Sequence, residues 1–506
     1  MKQKLRLLLH ARWNLFRERI AGTSAASDEK TETPLIAFVG KSINRIPYPL
    51  FLSLAAVLAF IVVIYFFCPR FTLWKGLGLD TPISYSNPEV NRALATLKKT
   101  DTPFAFVTYP GKENHTINWR LLFPLLGHYL HLPRFVFLAL PHLGCLMVFG
   151  FIAHLACKST GRRLLSFGTV ILMGTTSWFF VSTGWLAYFD SWYLLGLLLA
   201  SFAISRRALF ISCFLAPWVD ERFVITLPLS ILIRVIYLRW LGLEKVRQYI
   251  QDILIIIAGV APYALIRLFL VLGGQDPYSA GYVTVHNSLW NATFWQATES
   301  IWAGLRGAWF FVVIFVLLSF RQRRAWFIPA VLLILAGTML VLITVAGDYG
   351  RNMSAFIPAA VMGLLLLHRA KPNWLADIVI VLLAFNLLTP AIHGFDRWRM
   401  PISNLYTEIE RYKNPPDYLN PDTYNKLAVE LVERGDMTSA TNCLNLALRL
   451  DSKHPQTLYN RSLARQRLGD TTGAIADLEN ALRYSPKNWP LRSQAEQSLA
   501  SIRQHL

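Results

Sequence analysis

Residues 48 to 68 read YPLFLSLAAVLAFIVVIYFFC, an apolar run of 21 residues without one charged side chain. A helix rises about 1.5 Å per residue, so roughly 20 apolar residues are enough to cross the hydrocarbon core of a bilayer. A helix also pairs its backbone polar groups internally, which lipid requires. The run therefore predicts a membrane-spanning helix.

Ten further apolar segments follow, at residues 133–156, 164–183, 185–204, 208–218, 223–240, 249–272, 307–320, 325–346, 353–368 and 374–393. Across the chain 54% of residues are apolar and 16% are charged, more apolar surface than a soluble core of this size requires. We therefore predict an all-α protein, with a polytopic transmembrane bundle of about 10 to 11 spans over residues 48–393.

Basic residues indicate the orientation of the bundle. Five groups occupy alternate connections: Arg162 with Arg163; Arg206 with Arg207; Arg239 with Lys245 and Arg247; Arg321 with Arg323 and Arg324; Arg369 with Lys371. Short loops rich in Lys and Arg are retained in the cytoplasm. We predict a multi-pass protein of the bacterial inner (plasma) membrane, with its N-terminus cytoplasmic and residues 394–506 outside. This placement explains the net charge of +20 without nucleic acid as a partner.

Two segments leave alternatives open. Residues 208–218 extend only about 16 Å, so they form either one arm of a helical hairpin or part of a single span ending at residue 240. The hairpin keeps all basic groups on one side. Residues 1–47 are predicted as a cytoplasmic basic segment, either an amphipathic helix on the membrane surface or an unstructured cationic tail.

The chain becomes polar beyond residue 393, and a pattern then repeats at a spacing of 34 residues. Paired positions are Gly435 and Gly469, Asp436 and Asp470, Ala440 and Ala474, Leu444 and Leu478, and Ala447 and Ala481. The pattern resembles the tetratricopeptide repeat. We predict a linker over 394–420, two repeats over 421–488 and a capping helix up to residue 506. Arg461 and Arg465 occupy positions where the pattern expects apolar residues, which weakens the second repeat.

Charged residues near membrane depth are candidates for function, because they persist where they pair or line a cavity. By the orientation above, four such groups lie on the outer side. They are Asp80, Glu113, His115 and Arg120 in the loop 69–132; Asp190; Asp220, Glu221 and Arg222; and Asp348 with Arg351. Each could instead be an interfacial turn in contact with water and headgroups. Four acid-containing turns on one face favour a shared cavity.

This arrangement resembles the C superfamily of membrane glycosyltransferases, which take sugars from polyprenyl-phosphate carriers. The resemblance rests on a first span with a long outer loop, Arg120 to Pro124, the Glu221-Arg222 turn, and Asp348 with Arg351 and Pro358. It implies a lipid-linked donor, a carboxylate base and arginines that bind the leaving phosphate. Asp80 or Glu113 would be the base, with His115 assisting. Arg120, Arg222 and Arg351, with Asp190, Asp220, Glu221 and Asp348, would bind substrate.

Other functions stay open at this point. The segment 286–290, HNSLW, resembles the His-containing loop of O-antigen ligases and polymerases. A non-enzymatic scaffold or transporter for envelope polysaccharide would also use the repeats, which predict a protein partner or self-association. The cofactor is undetermined, with a divalent cation as the candidate. The five cysteines show neither metal-ligand spacing nor a disulfide framework.

Overall fold

The computed structural model describes residues 42–68, 70, 74, 88–105, 116–243, 245–272, 294–319, 327–345, 348–370, 372–394, 399–413, 420–433 and 435–504. These residues are almost entirely helical, which confirms the all-α prediction. Within them the only sheet pairs two short antiparallel strands, β1 (Ile392–Gly394) and β2 (Arg399–Pro401). The predicted basic segment falls outside the described residues except for its last six positions, 42–47.

The helices fall into three groups along the chain. The first comprises α1 (Tyr48–Phe66), α2 (Pro88–Asp101), α3 (Leu122–Tyr129), α4 (Arg134–Thr160), α5 (Arg163–Gly174), α6 (Ser177–Gly184), α7 (Asp190–Phe202), α8 (Arg206–Val219), α9 (Arg222–Trp240) and α10 (Val246–Leu272). The second comprises α11 (Phe294–Leu305), α12 (Trp309–Ser319), α13 (Phe327–Val345), α14 (Tyr349–Asn352), α15 (Ile357–Ala370) and α16 (Pro372–Leu388). The third comprises α17 (Leu405–Lys413), α18 (Pro421–Glu433), α19 (Met437–Leu450), α20 (Pro455–Arg467), α21 (Thr471–Tyr484) and α22 (Arg492–Gln504).

Seven helical segments of the described chain are long and apolar enough to cross a membrane, and the bent pair α5 and α6 would be an eighth. Helices α7 and α16 are apolar but shorter. On α10 the side chains of Phe269 and Leu272 are 74% and 77% exposed, a surface that lipid covers better than water. Helix α15, in contrast, is buried in the bundle from Ile357 to Leu365. The protein is therefore a membrane protein with lipid-facing and central helices.

Helix boundaries differ from the sequence prediction at two places. Residues 164–183 were predicted as one span, but the helix breaks after Gly174 and bends by 67°. The hydroxyls of Thr175 and Thr176 bond to the carbonyl oxygens of Leu172 and Met173, and such local bonds compete with the helical ladder. Residues 273–306 were predicted as an outer loop, whereas helix begins at residue 294 and leads into α12 through one 3₁₀ turn.

Residues 206–240 form two separate helices, as the hairpin interpretation predicted. Helix α8 has 14 residues and ends at Val219, and the chain reverses at Asp220 and Glu221 into α9. It packs closely on α7: a Cβ added to Gly196 would lie 2.6 Å from the Ala216 Cβ. At the opposite end of this helix group, the Arg234 guanidinium lies 2.9 Å from the Asp252 carboxylate. The outer or inner placement of each end stays a prediction.

The C-terminal repeats fold as the 34-residue spacing predicts. Helices α18 with α19, and α20 with α21, form two hairpins. Gly435 and Gly469 occupy the connections with φ of +83° and +82°, a conformation that favours glycine. The next residues, Asp436 and Asp470, accept hydrogen bonds from backbone N–H groups at the start of α19 and α21. The paired alanines of the repeat, Ala440, Ala447, Ala474 and Ala481, are fully buried, and α22 packs on the second hairpin as a cap.

The two arginines that depart from the repeat pattern have a buried partner. Arg461 Nη2 lies 2.6 Å from Asp477 Oδ1, and Arg465 Nη1 lies 3.0 Å from Asp477 Oδ2. The side chain of Asp477 is 3% exposed. The charges of the two arginines are therefore compensated inside the repeat, and their effect on its stability stays a prediction.

The predicted linker is attached to the membrane domain. The N–H of Cys68, just beyond α1, donates to the Ser403 carbonyl at 2.8 Å. The Arg70 guanidinium contacts the sulfur of Met400, and Glu408 on α17 is fully buried. Residues 399–408 therefore pack against the end of the bundle rather than running free. The boundaries 48–393, 394–420 and 421–506 remain a prediction from sequence.

Candidate functional site

Five predicted residues meet where helices begin or end. Asp190 is the first residue of α7, Asp220 follows the last residue of α8, and Arg222 is the first residue of α9. Arg351 lies in the short helix α14, and Arg120 precedes α3. Since α7 and α9 start at the end of the bundle where α8 finishes, residues distant in sequence come together there.

Asp220 is at the centre of this group. Its Oδ2 lies 2.8 Å from Arg222 Nη2 and 3.2 Å from the Nη2 atoms of both Arg120 and Arg351. Asp190 Oδ1 joins two of the same guanidinium groups, at 2.6 Å from Arg222 and 2.7 Å from Arg351. Asp190 and Asp220 are almost completely buried. Arginine forks suit such shared carboxylate contacts, and each charge is compensated by several opposite ones.

Glu221 forms the more accessible edge of the cluster. Its two carboxylate oxygens accept hydrogen bonds from Arg120 Nε at 3.0 Å and Nη2 at 2.8 Å. The Glu221 side chain is 28% exposed, against 13% for Arg120. Glu221 is thus the carboxylate of the cluster that an anionic ligand would replace most easily on its arginine partner, Arg120.

A fourth arginine, absent from the sequence prediction, faces the same group. Arg92 on α2 is buried, and its guanidinium lies 4.3 Å from the centre of the Tyr188 ring. Arg351 contacts the same ring from 4.7 Å. Among the described residues Arg92 Nε has no hydrogen-bond partner. Four guanidinium groups therefore surround the three carboxylates of Asp190, Asp220 and Glu221.

Helix α2, which carries Arg92, is anchored to the segment that carries Arg120. Lys99 donates to the Asn118 side-chain oxygen at 3.3 Å and to the Ala105 carbonyl. Burial lowers the pKa of Lys99 to about 8. The loop 69–132 thus contributes folded structure to the site, and the predicted loop Asp80, Glu113 and His115 lie outside the described residues.

Asn352, next to Arg351, fixes the position of Arg222. Its Oδ1 accepts from Arg222 Nη1 at 3.0 Å, and its Nδ2 donates to the Leu342 carbonyl at 2.9 Å. The side chain thereby connects α9, α13 and α14. Its adjacency to Arg351 at an apolar boundary was the signal in the sequence that could have identified it.

Asp348 lies beside the cluster, not inside it. Its Oδ1 accepts from the Arg351 backbone N–H at 3.1 Å and lies 2.9 Å from His393 Nε2. The other ring nitrogen of His393 lies 2.8 Å from the Ser177 hydroxyl. Neither residue is among the predicted site residues: His393 is only the last residue of the final apolar segment, and Ser177 lies within an apolar segment.

Tryptophans are frequent near the predicted outer boundary, where they could stack on sugar rings or anchor the protein at the membrane interface, and their environments differ. Trp185 is buried against the His393 ring, with centroids 4.5 Å apart, and Trp218 packs edge-on against Tyr263. Trp295 is 75% exposed on α11. Trp192 packs beside the stacked pair Phe123 and Phe189, and Trp302 is half exposed, while Trp290 lies outside the described residues.

This geometry suits an anionic ligand. Several guanidinium groups near aromatic rings can bind phosphate oxygens bidentately, and the carboxylates can accept hydroxyl protons or hydrogen bonds. Among the described residues no group of three His, Cys, Asp or Glu side chains has the arrangement of a metal site. The predicted divalent cation therefore gains no ligand set from the described part of the chain.

A tetratricopeptide repeat model matches residues 455–488, which are α20, α21 and the turn that follows. No curated protein and no solved structure matches the chain. The protein thus combines a polytopic helical membrane domain with a tetratricopeptide repeat, a unit that commonly mediates contacts between proteins.

Proposed function

We propose that the protein is a membrane glycosyltransferase that takes a sugar from a polyprenyl-phosphate donor and transfers it to an acceptor at the outer face of the membrane. One observation carries the proposal. Arg120, Arg222 and Arg351 converge on one buried carboxylate, Asp220, at one end of a bundle whose outer helices present apolar side chains. In a lipid-linked phosphate, the anionic head would bind the arginine cluster and the apolar tail would lie along the apolar side chains of the outer helices.

The charges of the cluster favour a phosphate. Buried arginines persist where they have anionic partners, and here Arg92 brings a fourth positive charge against three carboxylates. The partly exposed Glu221 pairs with Arg120 in the absence of ligand. A phosphate would take the place of Glu221 on Arg120, and the leaving phosphate would be stabilised by guanidinium groups already in position.

The aromatic residues around the cluster favour a sugar. Tyr188 lies against two of the guanidinium groups, and the guanidinium carbon of Arg222 lies 4.9 Å from the centre of the buried Tyr193 ring. Rings and carboxylates together provide stacking faces and hydrogen-bond acceptors for hydroxyl groups. The repeat module, which follows the last membrane helix, would position the acceptor or a protein that carries it.

Purified full-length protein in lipid nanodiscs, incubated with radiolabelled polyprenyl-phosphate sugars and an acceptor extract, tests this function. We expect lipid-dependent transfer that is lost in Arg351→Ala and Arg222→Ala. The matched control is Arg206→Ala, because Arg206 is half exposed and lies at the other end of the bundle. Transfer retained by folded Arg222 and Arg351 variants would refute the catalytic role and favour a scaffold that acts through its repeats.

A further inference from the structure

Ser177, His393 and Asp348 form a continuous chain of contacts. They come from the start of α6, from β1 and from the residue that caps α14. The Ser177 Oγ lies 2.8 Å from His393 Nδ1, and His393 Nε2 lies 2.9 Å from Asp348 Oδ1. In a hydroxyl, imidazole and carboxylate arranged in this order, the first two groups can fix the orientation of the carboxylate, which is the proton acceptor.

Exposure decides which end of the chain can react. The Ser177 side chain is buried, that of His393 is completely buried, and that of Asp348 is 14% exposed. The backbone of α14 passes beside the serine, since a Cβ added to Gly350 would lie 3.4 Å from Ser177 Oγ. A substrate therefore has no approach to Ser177 as a nucleophile. The accessible end is the carboxylate.

Asp348 is also positioned next to the phosphate-binding arginines. Its Oδ1 accepts from the backbone of Arg351, whose guanidinium holds Asp190 and Asp220. Both contacts of Asp348 use Oδ1, and within the described residues no contact engages Oδ2. In contrast, Asp220 is enclosed by three guanidinium groups, and both oxygens of Glu221 are bonded to Arg120. Within the described residues Asp348 therefore offers a carboxylate oxygen that no guanidinium group engages, although Glu221 is the more exposed side chain.

We propose that Asp348 is the base of the transfer, with His393 and Ser177 as positioning residues; this inference rests on the proposed function. The acceptor oxygen forms a bond to the anomeric carbon of the donor sugar, and its proton passes to Asp348 Oδ2. The bond between the anomeric carbon and the phosphate oxygen breaks, and its electron pair stays on that oxygen beside the guanidinium groups. The His393 ring packs against the Oδ1 side of the carboxylate, with Nε2 2.9 Å away, and the Ser177 hydroxyl fixes the orientation of the ring.

The test is Asp348→Asn in the full-length protein, with transfer kinetics and donor binding measured separately. Asparagine caps helices as well as aspartate does, so α14 and Arg351 remain in position while the base is removed. We expect kcat to fall about 10²- to 10⁴-fold, the usual contribution of general base catalysis, with the donor Kd changed less than about twofold. Formate should restore part of the activity of Asp348→Ala. Asp377→Asn, an exposed carboxylate on α16, is the control and should keep wild-type kcat.

The positioning role has its own readout. His393→Asn should lower kcat with little change in KM for the donor, whereas loss of packing alone would reduce the amount of folded protein at unchanged kcat. Wild-type kcat in Asp348→Asn, beside an active wild-type enzyme, would overturn this inference and leave the proposed function standing. A wild-type protein without transfer activity would overturn both.

Discussion

Replacing Asp477 by alanine should destabilise the repeat module more than any surface substitution would. The change removes the carboxylate that pairs with Arg461 and Arg465 and leaves two cations facing a buried position. Breaking a fully buried ion pair costs about 3 to 5 kcal/mol. The arginine side chains are 18% and 28% exposed, so water compensates part of this loss. We expect a cost of about 2 to 3 kcal/mol.

Cys443 on α19 provides the assay in the intact protein. It is half-buried, whereas the other four cysteines are buried in or beside the membrane domain. Burial raises the pKa of the Cys443 thiol, which slows its reaction with a maleimide while the module is folded. Opening of the module exposes the thiol and returns its pKa toward the ordinary value. A loss of about 2.7 kcal/mol corresponds to a labelling rate about 100-fold higher when opening is a rapid equilibrium.

A triple variant separates lost pairing from lost packing. The variant Arg461→Leu, Arg465→Leu, Asp477→Leu places apolar residues at 461 and 465, as the repeat pattern expects, and removes all three charges. Replacement of buried ion pairs by apolar groups is often neutral or stabilising, so labelling should return to the wild-type rate or below it. A wild-type labelling rate in Asp477→Ala would show that the contacts with Arg461 and Arg465 contribute nothing to stability.

Three further predictions concern pH, packing and orientation. Burial lowers the pKa of Lys99 from 10.5 to about 8, so between these pH values the folded state binds fewer protons than the unfolded state. The free energy of unfolding therefore rises with pH in this window. Lys99→Met should abolish that rise, measured by thermal unfolding at several pH values. Ala474→Leu should overpack the second hairpin and cost about 1 to 3 kcal/mol by Cys443 labelling, and an unchanged rate would contradict the register of α20 on α21. A reporter enzyme that works only outside the cytoplasm should be active when it is fused after His505. Activity of a reporter that works only in the cytoplasm, fused at the same position, would contradict the predicted orientation.

The hydrogen bond from Ser439 lowers the pKa of Asp436, which caps α19. Its stabilising effect is present above the ordinary carboxyl value of 3.8 and is lost as pH falls through the lower folded value. Asp436→Asn keeps the cap without a titrating group, so Cys443 labelling measured after brief acid exposure should depend less steeply on pH.

The parts of the fold that were predictable depend on local sequence. Apolar runs of sufficient length gave the membrane helices, and the 34-residue spacing gave the repeat hairpins with their glycine turns. The break after Gly174 was missed because it arises from two threonine hydroxyls inside a run that hydropathy treats as uniform. The partner of Arg461 was missed for a different reason. Asp477 lies on the other helix of the hairpin, and only the folded geometry makes the two adjacent.

The site was predictable where a charge interrupts an apolar segment, and not elsewhere. Asp190, Asp220 and Arg351 are conspicuous because a charge at membrane depth requires a partner. Arg92 is one of many charges in a polar loop, and nothing local distinguishes it. His393 ends an apolar segment, a position where a histidine at the membrane interface is common, so the sequence does not mark it as a site residue. Their positions depend on tertiary packing, which brings α2 and β1 to the end of the bundle where the carboxylates lie.

That packing also connects the candidate site with the linker that follows the last membrane helix. β1 carries His393 beside Asp348, and its partner β2 leads into the segment that bonds to the end of α1 through Cys68 and Ser403. β1 thus lies between the site residue Asp348 and the linker strand β2. The same short sheet adjoins the site at one strand and the linker at the other, so the position of His393 beside Asp348 depends on residues that follow the last membrane helix and lie far from Asp348 in the sequence.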